Sequence, residues 1–216
     1  LVSVLSTDWL GRGQARLQGP AEAVGPRLRE ATRQRLDELA RELREAGGGE
    51  VEGRLLEGTV VPTLAAEAER GGADLLVLGA RGAGFLRRAL LGSTAERLVR
   101  KARCPILVVK QAPHEPYRRG LLALDLSPVA RRVIAAGRAV APDARLLPLH
   151  AFELLYESKM HYAGVDEATI RRYREAARAE AAARFDELLR AAGADEGLLA
   201  GLLVHGDPVA SILEQE

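Results

Sequence analysis

One α/β unit is written twice in these 216 residues, and that repetition limits the fold more than any other feature. LVSVLST at 1–7 is echoed by LLPLHAF at 146–152. RLDELARELREAGG, from Arg35, is echoed by RFDELLRAAGA, from Arg184. LLEGTVVPTLAAEAE, from Leu55, is echoed by LLVHGDPVASILEQE, from Leu202. Self-similarity at one period means one supersecondary unit used again. The register of the copies differs. The first runs on through a second helix into a glycine-rich stretch, whereas the second reaches residue 216 just before its own would begin. Residues 117–144 precede the second copy and have no counterpart before the first. By one period's arithmetic roughly 30 to 40 residues of the unit stand outside each end, so the chain is expected to be an internal piece of a longer protein.

Apolar runs alternate with helical periodicity throughout. Strands are expected at 1–7, 51–57, 73–79 and 104–110, then at 120–125, 145–151 and 200–205. Helices are expected at 25–46, 62–70, 94–103, 128–140 and 166–192, and onward from Pro208. In the long helix 25–46, Leu28, Ala31, Leu36, Leu39 and Leu43 recur at helical spacing. Proline suits a first helical turn, where its missing N–H is not needed, so Pro62 opens the helix that ends at Arg70. ADLLVLG at 73–79 is continuously apolar after Asp74, as in a strand covered on both faces. Ser93 is the expected cap of the helix that follows. Strands alternating with helices imply crossover units and a parallel sheet. The domains are expected at 1–111 and 118–216, joined by a linker at 112–117.

Composition excludes several classes. Net charge is +1, and 28 arginines and 3 lysines alternate with 30 acids, so no global field favours nucleic acid. No apolar run approaches ~18 residues, so no helix is expected to cross a membrane. Cys104 is the single cysteine. It permits no internal disulfide, which suits a reducing, cytoplasmic compartment. Histidines 114, 150, 161 and 205 lack metal-ligand spacing and read as structural or surface residues.

The stretch GARGAGFLRRALLGST, 79–94, stands between a strand and a helix. Backbone N–H groups converge at such a junction, the helix start adds partial positive charge, and glycine lets the backbone approach an anion. No lysine completes a Walker loop, and Arg87 occupies the third glycine position of a dinucleotide fingerprint. What the residues do show is Gly79, two residues, Gly82, nine residues, then Gly92-Ser93.

That spacing, with ADLLVLGARG before it and LLGSTAERLVRKARCPILVV after it, resembles the nucleotide-binding signature of the universal stress protein family. LLALDLSP at 121–128 resembles the family's first strand, and VHGDPVASILEQE its third strand and helix. The resemblance implies an α/β fold of the adenine-nucleotide alpha-hydrolase kind, an open parallel five-stranded sheet with helices on both faces, here in two partial tandem copies. It implies ATP, with or without magnesium, at the carboxyl edge. Gly79, Ala80, Arg81 and Gly82 would wrap ribose and phosphates. Gly92, Ser93 and Thr94 would hold phosphate oxygens, and Val4 would lie near adenine. Asp125 matches the acid of the first strand, but it belongs to the second copy, so Asp125 and the Gly79 loop are two halves of one site. The resemblance also implies self-association through the last strand, Cys104 to Lys110, and a regulatory module without ordinary enzymatic chemistry. Two alternatives stand beside it. One is a slow ATP hydrolase or phosphotransferase, with Glu96 the nearest carboxylate. The other is a dimerisation scaffold that binds no nucleotide.

Overall fold

The computed structural model describes residues 1–7, 24–80, 92–112, 114–154, 156–193, 198 and 200–215. Contacts among them divide the chain into two compact units, Leu1–Ala112 and Pro113–Glu216. In unit one the elements are β1 (Val2–Ser6), α1 (Val24–Glu45), β2 (Arg54–Gly58), α2 (Val60–Arg70), β3 (Leu76–Gly79), α3 (Ser93–Lys101) and β4 (Ile106–Val109). In unit two they are β5 (Arg119–Ala123), α4 (Ala130–Val140), β6 (Arg145–Phe152), α5 (Glu157–Tyr162), α6 (Glu167–Ala191), β7 (Leu202–His205) and α7 (Pro208–Leu213).

All pairing between these strands is parallel. Unit one holds two separate pairs, β1 with β2 and β3 with β4, and unit two a three-stranded sheet in the order β5-β6-β7. The α/β class therefore stands, while the expected five strands in one sheet are not found among the described residues. The reason lies in what each copy contains: unit one has no described counterpart of β5, and unit two none of β3 and β4.

Unit two carries the better-formed core. Leu122 and Leu124 on and after β5, Ala130 and Ile134 on α4, Leu146 on β6 and Phe185 on α6 are buried together. α4 and α6 therefore share one face of this sheet, α7 packs against β6, and Leu146 and Leu149 are almost fully enclosed. α6 begins at an Asp166 cap that accepts from the Thr169 N–H at 2.9 Å, which satisfies one of the donors a helix start leaves free.

Unit one is more open. Leu36 and Ala40 anchor α1, and Ala95 and Leu98 anchor α3. Leu43, expected on the buried stripe of α1, is largely exposed. Glu67 is a buried carboxylate on α2, held by Arg54 of β2 at 3.1 Å and by Arg70. α2 starts at Val60, so Pro62 is its third residue rather than its first. The first turn tolerates it equally, because those N–H groups lack intrahelical partners. β3 departs most from expectation: Leu76 and Leu78 are half-buried while Val77 is 56% exposed. The strand is covered on one face only.

Candidate functional site

The site begins at the carboxyl end of β3. Ala80 is buried, and its N–H donates to the Val109 carbonyl at 2.8 Å, extending the β3–β4 ladder by one step. Its carbonyl then accepts from the Gly92 N–H at 2.9 Å. This bond brings Gly79 and Ala80 beside Gly92, Ser93 and Thr94. Arg81 and Gly82 lie outside the described residues, as do Arg87 and Arg88.

Gly92, not Ser93, is the N-cap of α3, with extended backbone at φ −62° and ψ 142° and no side-chain cap. Ser93 and Thr94 are the first two helical residues, and both are exposed. No described residue engages either hydroxyl. The expected Ser93 cap is thus displaced by one position. A cap needs extended backbone, and Gly92 supplies it, so Ser93 turns helical. Among the described residues the outcome is a helix start with backbone donors and two hydroxyls but no acceptor for them, which is the composition of an anion cradle. Buried Ala95 and Leu98 fix the helix that presents it. Glu96, the carboxylate a hydrolase would draw on, pairs with Arg100 at 3.1 Å along the helix surface.

Val4 sits in the middle of β1, opposite Leu56 of β2, two residues short of the strand's carboxyl end at Ser6. Asp125 follows β5 in unit two. Its carboxylate accepts from the Ser127 N–H at 3.0 Å, and the Ser127 hydroxyl in turn accepts from the Val129 N–H. Hydrogen bonds from Ser127, through its side chain first and its backbone second, hold the Asp125 carboxyl below its ordinary value, so it is ionised at neutral pH. Leu126 adopts φ 59° in this tight turn. The turn thus aims a fixed carboxylate from a strand end. The structure brings together Gly79, Ala80, Gly92, Ser93 and Thr94; Val4 is on a different strand pair and Asp125 is in the other unit.

One feature has no sequence precursor. At the carboxyl end of the β6–β7 ladder, Glu153, Glu157, His161, His205 and Asp207 line a recess of about 430 Å³. Arg174 holds Glu157 and lowers its carboxyl pKa. α5, which supplies two of these residues, has too few turns to show a periodicity. Among the described residues no group of histidine, cysteine or acids is arranged to hold a metal ion, and no helix is long and apolar enough to cross a membrane.

The description Universal stress protein family matches residues 7–110. Universal stress protein MJ0531 of Methanocaldococcus jannaschii is 36% identical over 98 residues, covering 45% of this chain and 57% of that protein. Universal stress protein Rv2005c of Mycobacterium tuberculosis is 30% identical over 143 residues, covering 63% and 47%. The chain therefore spans about half the length of these curated relatives. A universal stress protein from Archaeoglobus fulgidus shares the fold, with a TM-score of 0.60 at 17% identity, covering 99% of this chain and 82% of that one.

Proposed function

This chain belongs, through residues 7–110, to the universal stress protein family, and on that premise we propose that it is a nucleotide-binding regulatory protein whose ligand is ATP. The observation that carries the reading is the Ala80–Gly92 hydrogen bond. It sets a strand end and an uncapped helix start side by side, with glycine on both sides of the closure. The residues fit the ligand's chemistry. Gly79 and Gly92 leave room for close backbone approach. The first N–H groups of α3 and the Ser93 and Thr94 hydroxyls supply donors for phosphate oxygens, and the helix dipole favours their charge. Bound ATP, with or without magnesium, brings the anion these donors lack. The protein's part is to hold and orient it. Arg81 and Gly82 complete the loop in this reading, and Val4 and an acid of the Asp125 kind flank the nucleoside end.

The same proposal includes a tandem arrangement of the two units, a cytoplasmic location and self-association along β4. β4 pairs only with β3 among the described residues, and an open strand edge invites pairing with another chain.

Calorimetric titration of Mg-ATP into the whole chain tests the central claim. Saturable binding at a single site per chain is expected. Gly82→Trp should abolish it, and Ser93→Ala with Thr94→Ala should weaken it, while far-UV circular dichroism stays unchanged. Absence of heat on a folded chain, or binding indifferent to these substitutions, would refute it.

A further inference from the structure

In unit two, β7 ends at His205, and Asp207 turns the chain into α7. Beside it β6 ends at Phe152 and the chain runs through Glu153 and Leu154 toward α5. The recess of about 430 Å³ lies between these two exits. One wall is α5, with Glu157, Ser158 and His161; the other is the β7–α7 turn, with His205, Gly206 and Asp207. This recess is separate from the Gly79–Thr94 junction, which belongs to unit one.

α5 is lightly held. It has six residues and buries none of them, and Tyr162 at its end is 96% exposed. A helix this short is not stable by itself. The turn that follows it bonds back to its own carbonyls, Ala163 to Lys159, Gly164 to His161 and Val165 to Met160. Its tie to α6 is made by a side chain. Glu157 accepts from Arg174 Nε at 2.8 Å and again from Nη2, and Arg174 also reaches Glu167 at 3.1 Å.

Charge decides what else can tie it. Glu153 and Asp207 line the recess with Glu157, so with Glu167 four carboxylates stand in this corner. The cations are Arg174 and Lys159, and Lys159 lies over the Tyr156 ring, 5.5 Å from its centroid. Hydrogen bonds from Arg174 first, then its charge and those of His205 and His161, lower the Glu157 pKa against the opposing effect of burial. Glu157 therefore stays ionised in mild acid. His161 Nε2 stands 3.7 Å from Glu157 Oε1, just beyond hydrogen-bond reach. His205 belongs to the opposite wall, its ring tilted against Phe152 with centroids 5.3 Å apart. Both histidines are exposed, and imidazole is the side chain that changes charge between about pH 5 and 8.

We propose that α5 is a strap over this recess, open at neutral pH and drawn shut when His161 and His205 take up protons. A charged His161 closes onto Glu157 one turn before it, the favourable order for such a pair on a helix. A charged His205 draws Glu153 and Glu157 toward the other wall. Arg174 opposes both by like charge, but Glu167 shares it and the carboxylates remain in excess. The shut form binds more protons than the open one. It therefore gains as pH falls through the histidine range and is lost as pH rises. Its state sets access to the carboxyl end of the β6–β7 ladder.

Amide hydrogen exchange on the whole chain, without nucleotide, tests the strap. Protection factors, which remove the intrinsic pH dependence of exchange, are compared at about pH 7.5 and about pH 5.5. The bonded amides of Met160, Ala163 and Val165 should gain protection about two- to fivefold in acid, the strength of exposed ion pairs, while those of β6 do not change. His161→Gln and His205→Gln should each reduce the gain, and the double variant should abolish it. Both side chains are exposed, so the variants should match wild type in urea denaturation. About 0.5 M sodium chloride should weaken the gain in wild type, because exposed charges are screened. Protection that is unchanged or lower in acid, or a gain that persists in the double variant or is indifferent to salt, overturns the strap.

Discussion

Gly137 offers the sharpest test of how α4 seats on its sheet. A Cβ at this position would stand 2.7 Å from Leu122 Cδ2 and 3.7 Å from Leu146 Cδ1. Two effects of Gly137→Ala oppose each other. Alanine in a helix interior is favoured over glycine by about 0.8–1 kcal/mol. Against this, an extra carbon forced into a packed core costs typically about 1–3 kcal/mol. Leu122 is the side chain that would have to give way, and it is only 5% exposed, so it has little space into which to turn. The clash should win, leaving a net loss of about 0–2 kcal/mol. Urea denaturation followed by circular dichroism measures it. A double-mutant cycle isolates the cause. Leu122→Ala alone should cost about 2–5 kcal/mol, and with Leu122 shortened, Gly137→Ala should become neutral or stabilising. A coupling energy near zero, or a stabilising Gly137→Ala on the wild-type background, would show that the helix does not lie this close to β5.

Leu98→Ala empties a fully enclosed position under α3 and should destabilise unit one by about 2–5 kcal/mol. Because α3 presents Ser93 and Thr94, ATP affinity should fall with it, as calorimetry beside urea denaturation will show. Asp166→Asn tests linkage. Hydrogen bonds from the Thr169 side chain first, and its backbone second, lower the Asp166 pKa in the folded chain. Its stabilisation is therefore present above the unfolded value of about 3.9 and is lost as pH falls through the lower folded value. The melting-temperature gap between wild type and variant should be constant near neutrality and narrow below about pH 4. A gap that widens in acid would refute the assignment.

Local signals were legible where one element carries them. The helix read at 25–46 is Val24–Glu45, and the strand read at 145–151 is Arg145–Phe152. The glycine spacing, too, marked a junction of strand end and helix start. What could not be read was which element covers which. ADLLVLG carries the composition of a strand buried on both faces, yet Val77 is open, because the letters of β3 describe the face and not its cover. Ser93 missed the cap by one residue, since glycine and serine both accept the extended backbone of that position. α5 escaped notice because six residues make under two turns. Asp125 was legible as an acid at a strand end, but its turn with Ser127 depends on backbone geometry that spacing does not encode.

Gly92 separates a binding site from a mere turn. A serine or aspartate at an N-cap would use its own oxygen on the first free N–H groups of the helix. Glycine does not, and the loss in stability is only about a few tenths of a kcal/mol. At φ −62° and ψ 142°, any L residue is conformationally acceptable, so glycine is not demanded by the backbone angles. Gly92→Asp therefore pulls the two readings apart. It should leave the melting temperature unchanged or raise it slightly, because the helix gains a cap and a favourable charge at its positive end. It should also reduce ATP affinity at least tenfold, because the new carboxylate occupies the donors and repels phosphate. If the variant is more stable and binds ATP as wild type does, the amino end of α3 is not where the phosphates rest. If it is less stable, the glycine serves a close approach within the loop itself, and the donors left open at Ser93 and Thr94 lose their claim to a ligand.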